Sequence, residues 1–254
     1  MILIFAGWGC GKKELNLADT VSETLESEVP IEAEPVVELK YLTESINEED
    51  SKMRINLEYP VFEESDYDYS AINAEIRDFV EELKEGFLDD YNSLDHENDF
   101  GVWFLENSFL VSRNDESFIS VVLECNTYTG GAHANYFYKT FLFNMEEDGS
   151  LMSVTDIFNP EAVTLDADSG VYIDWLNYVS NQARLQLMSQ EYADADWINE
   201  GAGPQIDNFS LFYLTDKEIV FLFPPYQVAP YAAGPQQVSF TIDELANYLR
   251  AYDF

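Results

Sequence analysis

The sequence predicts an α+β fold: antiparallel sheet packed by two main helices plus a short C-terminal helix. Three observations predict it. Runs with a two-residue apolar period, rich in β-branched and aromatic side chains, are separated by turns of hairpin length. Two segments with apolar residues every three or four positions interrupt those runs. The resulting order, β-α-βββ-α-βββ-α, sets neighbouring strands antiparallel and places helices on the sheet faces.

Met53, Ile55, Leu57 and Tyr59 alternate with polar residues and stop at Pro60, a half-buried strand. Ile72, Ile76, Phe79, Val80, Leu83, Phe87 and Tyr91 then mark an amphipathic helix with Ser70 at its N-cap. Residues 101–113 and 117–128 read as strands joined by Asn114-Asp115-Glu116, and a third run goes from Tyr136 to Met145. After Asn159-Pro160 a second helix is marked by Tyr172, Trp175, Leu176, Val179, Ala183 and Leu187. An acidic, glycine-rich loop holding Asp194, Asp196 and Glu200 follows, then strands near 208–214 and 218–223. A strand near 237–241 leads into a short helix, where Thr241 and Glu244 have capping-box spacing.

At 254 residues and 46% hydrophobic, the chain has length and apolar content for a substantial core. Its charge is lopsided: 49 Asp and Glu against 12 Lys and Arg give −37. Repulsion from phosphates argues against nucleic acid, and anionic membrane surfaces are poor partners for the same reason. Such a charge fits a cationic partner or a salty habitat. Cys10 and Cys125 are the only cysteines, so no disulfide or zinc framework is expected. His96 and His133 alone do not make a histidine-rich metal site. No cofactor and no metal are expected. Asp166-Ala-Asp-Ser-Gly170 misses the calcium-loop pattern, because its glycine comes one position early and no glutamate closes it.

The first nine residues are apolar and end at Gly9, directly before Cys10. That arrangement resembles the end of a bacterial lipoprotein signal whose cysteine is lipidated, although Gly7 replaces the usual leucine and no charged leader precedes it. Residues 14–50 carry twelve carboxylates against one lysine and lack a sustained apolar stripe. They are expected to form a disordered tether. The Val36-Val37 and Leu39-Tyr41-Leu42 patches leave room for an added edge strand. The expected organisation is a signal remnant over 1–10, a tether over 11–50, and two α+β subdomains over 51–150 and 151–254.

Two segments stand out as candidate sites. In Tyr128-Thr-Gly-Gly-Ala-His-Ala-Asn135, Gly130 and Gly131 permit positive φ or close backbone approach. His133 is there either a base or ligand contact, or a polar residue satisfied beneath a turn, and the lack of a neighbouring nucleophile favours the second for catalysis. In Phe223-Pro-Pro-Tyr-Gln-Val-Ala-Pro-Tyr-Ala-Ala-Gly234, three prolines stiffen the backbone while Tyr226 and Tyr231 offer aromatic faces. This is either a recognition loop or a stiff cover for the sheet. Candidate ligand-binding residues are Tyr128, Gly130, Gly131, His133, Pro225, Tyr226, Tyr231 and Gly234. No residue is assigned to catalysis, and Cys125, in mid-strand, reads as an inert core thiol.

Tyr59-Pro60, Ile72-Asn73, Tyr128-Thr-Gly-Gly-Ala-His133 and the Phe223–Gly234 segment occur in an order that resembles the RsiV/PdaC-like superfamily of paired extracytoplasmic domains. The resemblance covers roughly residues 52–251. Family members include a lysozyme-sensing anti-sigma factor and a peptidoglycan deacetylase that carries these domains ahead of its catalytic domain. The anti-sigma member has a sigma-binding segment and a membrane helix before the fold, where this chain has an apolar stub and an acidic tether. The deacetylase has a catalytic domain after the fold, where this chain reaches Phe254. The expectation is a non-catalytic, extracytoplasmic lipoprotein that binds an envelope glycan or a cationic protein such as lysozyme. It would touch the membrane only through a lipid on Cys10. The alternative is an enzyme acting on peptidoglycan or another envelope polymer.

Overall fold

A computed structural model describes residues 39–64, 67–94, 101–166, 170–252 and 254. Cys10, His96 and most of the proposed tether lie outside these residues. The fold is α+β, as the residue periodicities require. Six strands form one sheet in the order β1 (Tyr41–Glu49), β2 (Met53–Phe62), β3 (Trp103–Asn114), β4 (Phe118–Tyr128), β5 (Asn135–Asn144) and β6 (Ser150–Leu151). Helix α1 (Ser70–Ser93) connects β2 to β3. After the short α2 (Val154–Ile157), a small hairpin pairs β7 (Val163–Leu165) with β8 (Tyr172–Asp174). Then come α3 (Trp175–Met188) and α4 (Ala195–Gly201). A three-stranded sheet, ordered β11-β10-β9, is built from β9 (Phe212–Leu214), β10 (Glu218–Phe223) and β11 (Gln236–Thr241), and α5 (Ile242–Leu245) follows.

Several local expectations need correction. Residues 41–49, placed in the tether with room left for an edge strand at Leu39-Tyr41-Leu42, form that edge strand, β1, and pair antiparallel with β2 from Tyr41↔Phe62 to Glu49↔Arg54. Most of β1 is exposed, so backbone hydrogen bonds hold it without an apolar stripe. β2 and β3 run parallel rather than antiparallel, because α1 carries the chain back to the starting end before β3 begins. Ser70 is the first helical residue; the carboxylate of Asp68 instead accepts the Ser70 amide at 2.9 Å. Tyr172 belongs to β8, and α3 starts at Trp175 with Asp174 accepting the Asn177 amide at 2.8 Å. Residues 195–201 are helical, and Asp194 caps that turn by accepting from Asp196 and Trp197.

Strand alternation divides the core in two. Ile119, Val121, Leu123 and Cys125 of β4 face α1, where Ile72, Ile76, Val80 and Phe87 are buried. From the same sheet, Phe118 and Leu142 face the other way and join a second core. That core packs Val179, Ala183 and Leu187 of α3 against Phe221, Phe223 and Phe240. The two layers are joined by a buried hydrogen bond, from the Leu214 amide on the free edge of β9 to Ser120 Oγ at 3.0 Å. Asn73 locks α1 to β2 by accepting the Phe62 amide at 2.8 Å and donating to its carbonyl at 2.9 Å. Among the described residues no helix is long and apolar enough to cross a membrane.

Candidate functional site

The β4–β5 connection carries the first glycine-rich segment. Gly130 and Gly131 have φ of 96° and 112°, in the region that L side chains avoid. The chain therefore folds back on itself, and the Tyr128 hydroxyl donates to the Gly131 carbonyl at 3.0 Å. The Tyr128 ring stacks on Phe104 at 5.8 Å, which ties the turn to β3. His133 is exposed, and its Nδ1 lies 2.8 Å from the Ala134 carbonyl. A carbonyl only accepts, so Nδ1 holds the proton and donates. His133 is thus held by main chain, and among the described residues no carboxylate bonds to it.

The second segment leaves β10 at Phe223 and returns to β11 through a 3-10 turn at Tyr231–Ala233. Pro225 sits in its opening turn. Gln227 donates its amide nitrogen to the Pro224 carbonyl at 3.1 Å, and the Tyr226 amide donates to the Ala229 carbonyl at 3.0 Å. These bonds hold Tyr226 at φ 74°, an uncommon conformation for a bulky residue that marks a constrained position. Gln227 supplies the constraint from below, donating its side chain to the carbonyls of Gly201 (2.9 Å) and Asn208 (3.0 Å). Gly234 ends the segment at φ 68°; a Cβ there would meet nothing within 4 Å, so conformation rather than space calls for glycine.

The two segments meet. The His133 and Tyr231 rings are stacked with centroids 3.9 Å apart and planes 23° apart. The Tyr231 hydroxyl donates to the Ala134 carbonyl at 2.6 Å, across 97 residues of sequence. Partial desolvation, with Tyr136 and Tyr226 nearby, holds this hydroxyl above its ordinary pKa, so it remains a donor. Tyr136 lies 6.3 Å and Tyr226 5.7 Å from the Tyr231 ring, and Trp197 of α4 lies 6.3 Å from Tyr226. Tyr226 is 56% and Tyr136 39% exposed, so the band forms a solvent-facing aromatic platform. The sequence reading missed Tyr136 and Trp197. Tyr136 is the second residue of a strand, and Trp197 sits in what reads as a polar loop. Among the described residues, no group of three or more His, Cys, Asp or Glu gathers to hold a metal ion.

Residues 46–136 match the family described as deacetylase PdaC, and residues 155–243 match DUF3298, a family described as proteins of unknown function. The chain thus carries a region similar to the PdaC family followed by a region similar to DUF3298. The first glycine-rich turn closes the PdaC-like match and the proline-rich segment lies inside DUF3298, so the platform forms where the two matched regions touch. The chain is 25% identical over 194 residues to the peptidoglycan-N-acetylmuramic acid deacetylase PdaC of Bacillus subtilis (strain 168). That alignment takes in 76% of this chain but only 38% of the deacetylase. Among solved structures, a DUF3298 family protein of Pseudomonas aeruginosa superposes with a TM-score of 0.58 at 15% identity, covering 85% of this chain and 95% of that one. A DUF3298 member from Bacteroides fragilis gives 0.55 at 16% identity, over 86% and 96% of the two chains. At such identities these structures establish a shared fold.

Proposed function

We propose that this chain is a ligand-binding module of the bacterial cell envelope, and that the platform around Tyr231 grips an envelope glycan. The observation that carries this reading is the stacked His133–Tyr231 junction, which fixes two stiff loops and leaves aromatic faces toward solvent. Aromatic faces pack against the C–H faces of sugar rings, and rigid rings lose little entropy on binding. Kinship with a peptidoglycan deacetylase supports an extracytoplasmic, cell-wall setting. The test is co-sedimentation with purified peptidoglycan sacculi. Tyr231→Ala is expected to weaken binding at least ~10-fold, which at about 1.4 kcal/mol matches the loss of one aromatic anchor. Tyr226→Ala is expected to weaken it less. Unchanged binding by both variants, with unchanged circular dichroism, would remove the platform from the reading. Release of soluble fragments from the wall, lost in His133→Ala, would replace binding with catalysis.

The net charge of −37 favours a second reading, in which the partner is a basic protein such as lysozyme. Charge attraction fades when the screening length falls to about 3 Å at 1 M salt, whereas a seated complex persists. A lysozyme titration at low and high salt, on wild type and Tyr231→Ala, separates the two. We further propose that a lipid on Cys10 holds the module to the membrane, because an apolar run and a small residue precede that cysteine. Expressed in a bacterial host with its own export signal, the Cys10→Ala protein is expected to leave the membrane fraction. Its retention there would end the anchor proposal.

A further inference from the structure

A second recess lies between the two sheets and does not use the platform. Antiparallel register sets Ser108, Glu124 and Tyr138 in one row across β3, β4 and β5, on the sheet face opposite α1. The outer face of the smaller sheet supplies the facing wall. Together they enclose about 260 Å³. Leu110, Glu124 and Tyr138 line one side; Tyr213, Leu222 and Gln237 line the other. This is slightly below the roughly 300–1,000 Å³ of drug-sized pockets, which limits the occupant to about one ring.

The chemistry of the lining is specific. Phenol rings stand on both walls, apolar side chains lie between them, and among the described residues Glu124 is the one charged lining residue. Burial, then the Glu124 carboxylate beside it, pushes the Tyr138 phenol up to about 12. Burial and then Glu218 raise Tyr213 as well. Both phenols therefore stay neutral, and Glu124 supplies negative charge beside aromatic faces. That combination favours a cation with apolar flanks. Hydroxyl and amide groups at the rim suit an occupant that also carries hydroxyls.

We propose that the recess between the sheets, built on Glu124, Tyr138 and Tyr213, binds a sugar ring bearing a free, protonated amine, that is, a de-N-acetylated amino sugar of an envelope glycan. The ring lies between the two tyrosines and its ammonium pairs with Glu124. An N-acetylated ring presents a neutral amide there and leaves the carboxylate desolvated without a counter-charge, which costs affinity. Such an amine is what removal of an acetyl group from an N-acetylated sugar leaves behind. The recess thus reads whether a glycan has been deacetylated.

The probes are a glucosamine tetramer, an N-acetylglucosamine tetramer and n-butylamine, titrated by NMR at mildly acidic pH. Saturable shifts at Glu124, Tyr138 and Tyr213 are expected with the glucosamine tetramer, and at least ~10-fold weaker binding with the other two. Glu124→Gln, an isosteric change at an exposed strand position, is expected to remove that preference. Tyr138→Phe is expected to weaken binding of the glucosamine tetramer by less. Tyr231→Ala is expected to leave it unchanged, so failure of the platform reading and failure of this one are separable. Equal binding of the N-acetylated tetramer, or a Glu124→Gln variant that binds like wild type, would overturn the charge-reading role. Equal binding of n-butylamine would overturn the requirement for a sugar.

Discussion

Gly201→Ala is expected to destabilise the protein by about 2–3 kcal/mol and to disorder the platform at the same time. A Cβ at this last residue of α4 would sit 1.8 Å from the Gln227 carbonyl oxygen and 2.6 Å from its carbonyl carbon. The obstacle is backbone, so rotamer changes give no relief, and either α4 or the 224–229 turn must move. Gln227 is the residue that anchors this turn, through bonds to the Gly201 and Asn208 carbonyls. Its displacement strands two acceptors and frees Tyr226 from its φ of 74°. Urea denaturation should show a lower midpoint, and binding at the platform should fall in the same variant. Gly86→Ala is the control: it lies within α1, a Cβ there meets nothing within 4 Å, and a gain of up to ~1 kcal/mol is expected from helix propensity. If Gly201→Ala unfolds within 0.5 kcal/mol of wild type, the close approach of α4 and the turn is wrong.

Alkaline pH is expected to destabilise the protein progressively between about pH 9 and about pH 12. Burial pushes the Cys125 thiol from 9.0 to about 12, with Glu124 adding to it. Burial also pushes Tyr59 from 10.0 to about 12, helped by its hydrogen bond to Glu44 on β1. Both groups are acids that resist ionising only while folded, so the unfolded chain loses their protons first. The sign follows from linkage. Stability is level below about pH 9, falls as first the thiol and then the phenol ionise in the unfolded chain, and levels again above about pH 12. At about 1.4 kcal/mol per pH unit for each group, the two together remove several kcal/mol, an order-of-magnitude figure. Cys125 is fully buried and Tyr59 only 4% exposed, so solvent screening reduces this little. A Tyr59→Phe, Cys125→Ala double variant should start less stable at neutral pH and lose less on going to pH 12. Parallel loss in both proteins would assign alkaline unfolding to general repulsion in a chain of −37.

Legibility in the sequence followed locality. The four- and seven-residue spacing of Ile72, Ile76, Val80 and Phe87 is a property of one segment, and these four residues are the buried ones on α1. Thr241 and Glu244 also form a local device, and the Thr241 side chain accepts the Glu244 amide as their spacing requires. The hairpin at Asn114-Asp115-Glu116 was readable for the same reason, since Asp115 satisfies the Ser117 and Phe118 amides itself. β1 was only partly readable: the Leu39-Tyr41-Leu42 patch left room for an edge strand, but nothing in the acidic run after it marked one. It is acidic and mostly exposed, and its partner supplies the hydrogen bonds that define it. Trp197 likewise looked like loop because α4 is short and its cap is a single aspartate.

The sequence by itself determined the α+β class, the principal strands and helices, the buried mid-strand placement of Cys125, the glycine turn at Gly130-Gly131 whose backbone needs unusual φ and the proline-stiffened segment before Gly234. Each of these rests on side-chain periodicity or on a residue's own steric limits, which act over a few positions. Only the tertiary structure decided that β2 and β3 run parallel and that residues 41–49 close the sheet edge. It alone set Tyr231 on His133, and it alone brought the Glu124 row opposite Tyr213. Backbone hydrogen bonding carries no side-chain address, so many strand pairings fit one pattern of apolar residues. The choice among them falls to how two separate cores pack on opposite faces of β4.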